Sequence, residues 1–123
     1  ICLGTAFREA LGDRAGIVRY GSFTVPMDEA RATCHVDCSG RPFVRLDGKP
    51  LAGACGDFTA DLLPEFLRAF ATHAGITLHV IVECGDNLHH QFEAVFKALA
   101  RALARAILIG DPGRVPSTKG VLD

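Results

Sequence analysis

A chain of 123 residues, 49% hydrophobic and 22% charged, is sized for one globular domain with its own core, and this composition excludes a disordered protein. A formal net charge of −1, from 13 basic and 14 acidic side chains, argues against a general nucleic-acid binder. The longest apolar runs are too short to span a bilayer, and Ile1–Leu3 passes into Gly4 without a cationic start, so no signal peptide, no membrane partner and a cytoplasmic location are expected.

In chain order, Thr5–Leu11 reads as the end of a helix, with Ala6, Phe7, Ala10 and Leu11 at helical spacing and Gly12-Asp13 and Gly16 stopping it. Ile17–Val25 is rich in branched and aromatic side chains and predicts a strand; Pro26–Glu29 is a turn. Ala30–Asp37 and Pro42–Leu46 predict two more strands. The short Ser39-Gly40-Arg41 link between them predicts a hairpin, with Asp47–Pro50 at its far end. Gly-rich Leu51–Asp57 predicts a loop.

Thr59-Ala60-Asp61 starts a helix with Pro64 in its first turn, and Gly75 stops it. Ile76–Glu83 predicts a strand, and Asp86 or Asn87 an N-cap for a long helix over Leu88–Ile109. Its apolar stripe is Phe92, Val95, Phe96, Leu99, Leu103, Ala106 and Ile107. The tail, residues 110–123, carries Pro112, Gly113, Pro116 and Gly120 and predicts a loop. The whole reads as one α+β domain, residues 1–123: a small, mostly antiparallel sheet with helices on one face, and no internal repeat.

Five cysteines at irregular spacings read as reduced thiols. A zinc site from Cys34, His35 and Cys38 is the alternative, which adjacent strand residues facing opposite ways suit poorly. The densest polar cluster is Asn87-Leu88-His89-His90-Gln91-Phe92-Glu93. His89 lies i,i+4 and His90 i,i+3 from Glu93, while the imidazoles stand about 100° apart around the helix and address different points. Imidazole with carboxylate and no nearby cysteine suits Mn, Fe, Zn or Ni. The plain alternative is a polar helix start with Glu93 paired to Lys97, but two imidazoles suit the positive end of a helix poorly unless something uses them. Pro116-Ser117-Thr118-Lys119-Gly120 offers hydroxyls, a cation and backbone amides to an oxyanion, and Arg19 and Arg41 flank turns.

Together these match a family. The segment Ala10–Asp123 resembles imidazoleglycerol-phosphate dehydratases through Arg19-Tyr20-Gly21-Ser22, Val25-Pro26-Met27-Asp28-Glu29-Ala30 and Asp37-Cys38-Ser39-Gly40-Arg41-Pro42. Gly56-Asp57-Phe58, Ala74-Gly75-Ile76-Thr77-Leu78-His79 and Asn87-Leu88-His89-His90 continue the series. Glu93 to Arg101 and Pro116 to Leu122 complete it in family order. The resemblance implies a half of ribosomal protein S5 domain 2-like type. It implies a lyase of histidine biosynthesis that dehydrates imidazole glycerol phosphate to imidazole acetol phosphate.

The family uses Mn²⁺, at two sites shared between the subunits of a large homo-oligomer. Each metal takes three histidines and a carboxylate. Carried over by position, His89, His90 and Glu93 are the catalytic, metal-binding residues, the two histidines serving different metals. Arg19, Arg41, Lys97, Ser117 and Lys119 match phosphate-binding positions. Glu65 stands where relatives often carry a ligand histidine in an EHFF segment; the residues alone suggest His79, on the strand before His89, which the resemblance makes a packed or supporting residue. His35 and His73 read as structural.

The family chain has two similar halves, each with its own histidine motif. This sequence begins in the helix that would follow the first motif, so part of each ligand set is missing from it. The alternative is therefore a catalytically incomplete metal-binding assembly module of the same fold. A nucleic-acid-binding domain of related architecture is disfavoured by the charge and by one tyrosine with no tryptophan.

Overall fold

A computed structural model describes residues 1–111 and 116–117. Its elements are α1 (Cys2–Leu11), β1 (Tyr20–Met27), β2 (Ala30–Asp37), β3 (Phe43–Gly48), β4 (Ala54–Cys55), β5 (Phe58–Thr59), α2 (Leu62–Ala74), β6 (Thr77–Cys84) and α3 (Leu88–Ala106). The main sheet runs β1-β2-β6-β3; β2 pairs antiparallel with both β1 and β6, and β3 lies parallel to β6. The architecture is the α+β one expected. Helix α3 packs on β1 and β2, α2 on β3 and β6, and α1 on α2.

The predicted hairpin between β2 and β3 does not form. Asp37 and Phe43 both face Thr77, from opposite sides, so β6 lies between the two strands. The reason is the strand–helix–strand unit β3–α2–β6, whose crossover helix puts its two strands in parallel pairing. The link 38–42 then has to step across the end of β6, over two strand spacings, roughly 10 Å. It does so against the α2–β6 corner: Gly40, at φ 86°, donates its N–H to Gly75 O, Phe43 donates to Ile76 O, and the Thr77 hydroxyl donates to Arg41 O.

Other boundaries shift for local reasons. The first strand starts at Tyr20 and not Ile17, because Arg19 sits at φ 78°, off the extended path. The preceding residues pair instead with the end of the long helix: Arg19 N–H donates to Ala106 O, Val18 N–H to Leu108 O, and Ile17 bridges Ile109. That pairing draws residues 107–109 out of α3, which ends at Ala106 and not Ile109. Within the predicted loop, β4 pairs with β5 around Gly56-Asp57, so α2 starts at Leu62. Gly75, in the left-handed conformation, ends α2 as expected.

The core lies between the sheet and the helix layer. Ala32, Cys34 and Val36 of β2 and Leu78, Val80 and Val82 of β6 meet Leu63, Leu67 and Phe70 of α2 and Val95 of α3. Alternate residues of the same strands form an open face, where Ser22, His35, His79 and Arg45 stand side by side in register. A row of fully buried alanines, Ala94, Ala98, Ala102 and Ala106, lets α3 lie close on β1. The closest point is Gly21, where a methyl group would stand 1.9 Å from Ala102 O.

Gly21→Ala must therefore separate β1 from α3. It is expected to destabilise the domain by about 1–3 kcal/mol, the cost of overpacking. Urea unfolding checks this as a lowered midpoint at unchanged slope.

Candidate metal centre

The first turn of α3 carries the densest chemistry. Asn87 caps the helix in an extended conformation, its Oδ1 accepting the N–H groups of His89 (2.9 Å) and His90 (3.3 Å). The predicted cap alternatives thus resolve to Asn87. Gln91, buried one turn in, donates its Nε2–H to Gly85 O at 2.8 Å. Gly85 itself is at φ 137°, where a methyl group would collide with Ala30 at 2.8 Å.

The two histidines part as the helical angle requires. His89 Nδ1 stands 3.3 Å from Cys55 Sγ, while its Nε2 lies 3.1 Å from Glu93 Oε2. His90 Nδ1 lies 2.7 Å from Glu29 Oε2, while its Nε2 faces Asp28 Oδ2 at 3.7 Å. Each ring therefore has its Nδ1 held by one neighbour and its Nε2 turned to a different carboxylate. Glu93 Oε1 also meets Lys97 Nζ at 2.5 Å, as the i,i+4 spacing predicted. Phe58, Phe92 and Phe96 wall a pocket of about 560 Å³ that His89, Glu93 and Lys97 also line.

Glu29, Asp28 and Cys55 are the partners that sequence reasoning missed. Glu29 belongs to the β1–β2 turn, 61 residues before His90, and only the folded hairpin brings it to α3. Its Oε1 accepts the N–H groups of Asn87 (2.8 Å) and Asp86 (3.1 Å). Those backbone bonds, then the His90 contact, hold its carboxyl down at about 2 from an ordinary 4.5. The hydrogen bond to Glu29 raises the His90 pKa in turn, and Lys97 lowers that of Glu93.

The phosphate candidates gather elsewhere. Arg19 is buried, donating from Nε and a terminal nitrogen to both oxygens of Asp37 (2.7 and 3.1 Å) and from the other terminal nitrogen to Pro116 O (2.7 Å). Arg41 reaches Asp37 at 3.9 Å, and Ser117 follows the docked Pro116. Lys119 lies outside the described residues. Arg19 is bonded to Ala106, nine residues and about 14 Å of helix beyond Lys97, so the structure keeps Lys97 apart from this group.

Glu65 is exposed on α2 and paired with Arg68. His79 is on the open sheet face beside Phe43, ring centroids 5.8 Å apart, with α3 on the other side of the sheet. His35 Nδ1 meets the Ser22 hydroxyl at 2.8 Å, and His73 Nδ1 donates to Ala69 O. Cys34 is buried and His35 exposed on the opposite face, which excludes the zinc site from Cys34, His35 and Cys38. Burial pushes the Cys34 thiol up to about 12 and Cys38 to about 11. Among the described residues no three such side chains converge to hold one metal ion. No helix among them is long and apolar enough to cross a membrane.

The depressed Glu29 carboxyl makes the α3 start acid-labile. Its contribution is complete above the ordinary 4.5 and is lost as pH falls toward 2. The raised His90 pKa works oppositely: its contribution is complete below 6.5 and fades as pH rises through the folded value. NMR titration is expected to show the Asn87 amide shifting between pH 4.5 and 2, with Glu29→Gln abolishing that step.

The family model described as imidazoleglycerol-phosphate dehydratase matches residues 1–103. The protein of that name from Lactococcus lactis subsp. cremoris (strain SK11) is 50% identical over 126 residues, covering 99% of this chain and 62% of the relative. The Pyrococcus furiosus crystal structure superposes with a TM-score of 0.86 at 39% identity, covering 99% of this chain and 66% of that one. The Staphylococcus aureus structure gives 0.82 at 39% identity, over 87% of this chain and 63% of that one. The chain spans less than two thirds of the length of these curated relatives. On the match of nearly its whole length, in sequence and in fold, the chain belongs to the imidazoleglycerol-phosphate dehydratase family.

Proposed function

We propose that this chain is the C-terminal part of a Mn²⁺-dependent hydro-lyase that dehydrates imidazole glycerol phosphate, with the metal centres completed by another copy and by a preceding half. The observation that carries the reading is the division at the α3 start: two adjacent imidazoles with Nε2 facing Glu93 in one case and Asp28 in the other. The donor set fits the metal. Nitrogen and carboxylate oxygen suit Mn²⁺, and the 3.1 Å between His89 Nε2 and Glu93 Oε2 is a spacing that two ligands of one cation adopt. His89 and Glu93 would hold one ion and His90 another, with Glu65 of a neighbouring copy as a further carboxylate.

His89, His90 and Glu93 would hold Mn²⁺, which when bound would supply Lewis acidity to the substrate imidazole. The chain's own residues fix position. Arg19, Arg41 and Ser117 would grip the phosphate at one end of the molecule and Lys97 at the other, with Lys119 as a further cation for it. Their separation within one chain supports a site built where two chains meet, since phosphate and ring must be held a fixed distance apart. Arg19 gives three of its five N–H groups to Asp37 and Pro116, so it would also hold in place the tail that carries Ser117.

The second reading, a metal-binding assembly module without turnover, is favoured by the lack of a three-donor cluster among the described residues. Turnover separates the two. The chain supplied with its N-terminal half is expected to dehydrate imidazole glycerol phosphate only with Mn²⁺, and His89→Ala to lower the rate at least 100-fold with loss of bound metal. Metal binding and assembly with no turnover by the completed pair would favour the module instead.

A further inference from the structure

We infer that Glu29 is a positioning residue for the metal centre, setting the ring orientation and tautomer of His90; this rests on the metal-binding reading of His90. The geometry is specific. One carboxylate makes three contacts at one point of the fold: Oε1 receives the Asp86 and Asn87 N–H groups, and Oε2 lies 2.7 Å from His90 Nδ1. The Oε1 bonds fix where the carboxylate sits relative to the helix axis. Oε2 then has one orientation left, toward the ring.

A carboxylate accepts but does not donate, so His90 must place its proton on Nδ1. Nε2 is left with its lone pair free and turned away from Glu29, toward the side where Asp28 stands. A metal-bound histidine whose other nitrogen donates to a carboxylate is both oriented and made more basic. Cys55 is the corresponding neighbour of His89, but a thiol is a weak partner and imposes no charge. The two imidazoles are thus supported unequally, and His90 carries the firmer preorganisation.

The support reaches His90 from outside its helix. The carboxylate is delivered by the β1–β2 turn, whose Asp28 adopts φ 48°. The turn approaches α3 through Gly85, where a side chain would strike Ala30. The hairpin therefore acts as a brace on the metal-ligand face, and Glu29 is the carboxylate of that turn within hydrogen-bond distance of His90, Asp28 standing farther off at 3.7 Å.

The test uses ¹⁵N-imidazole NMR of the 123-residue chain, free and paired with its N-terminal half, at a pH where the rings are neutral, with Mn²⁺ alone as probe. Wild-type His90 is expected to show the Nδ1–H tautomer and selective paramagnetic broadening by Mn²⁺. Glu29→Ala is expected to give a tautomer mixture at His90, with Mn²⁺ affinity 10–100-fold weaker. Glu29→Gln, which keeps an acceptor for the helix N–H groups, controls for folding: at neutral pH it should keep the Asn87 amide signal at its wild-type position yet weaken Mn²⁺ binding. An unchanged tautomer and affinity in both variants would overturn the role of Glu29 alone. A wild-type chain whose His89 and His90 signals ignore Mn²⁺ even when paired with its N-terminal half would overturn the metal reading and this inference with it.

Discussion

The approach of the β1–β2 hairpin to the first turn of α3 is the constraint on which the rest of the site depends. A helix start leaves several N–H groups without partners inside the helix. Here Asn87 takes two of them and Glu29 takes two just before. The groups that end the helix are therefore the same groups that aim its histidines. Polar satisfaction and site geometry thus share one carboxylate, Glu29.

Close packing makes that arrangement possible. Gly85 leaves room for Ala30, Gly21 for the Ala102 carbonyl, and Gly48 for Val82 O, so hairpin, helix and central strand all meet without side-chain spacers. Interiors of this density tolerate little displacement. At the other end of α3, the Arg19–Asp37 pair and the bonds from residues 17–19 fasten the first strand to the helix terminus. The long helix is thus pinned at both ends by segments of the same strand pair.

Much of this was legible in the sequence. Periodicity located both α2 and α3, Gly75 and Asn87 marked their ends, and the i,i+4 relation of His89, Glu93 and Lys97 appears as read. The ordered motifs pointed to the family. What escaped was non-local. A short link between strands Ala30–Asp37 and Phe43–Gly48 looks like a hairpin until the later strand Thr77–Cys84 is allowed to insert between them, and local pattern carries no information about that pairing. Glu29 lies in a polar turn, where a glutamate is ordinary; only the fold brings it to His90. Arg19 read as a phosphate candidate beside a turn, and nothing nearby in sequence announces its burial against Asp37.

The alanine row on α3 has a consequence for fidelity. His89 and His90 are consecutive, so sliding the helix by one residue, about 1.5 Å with a turn of about 100°, would put one imidazole roughly where the other had been. The other ring position would then hold Leu88 or Gln91, and the Glu93 position Phe92 or Ala94, so the slip would dismantle the donor set. What forbids it is steric: Ala94, Ala98, Ala102 and Ala106 are fully buried, and the slip would drive the larger neighbouring Val95, Leu99 and Leu103 into their places, at the closest point against Gly21. The smallest side chains of the helix thus act as its register key, deciding which histidine is which.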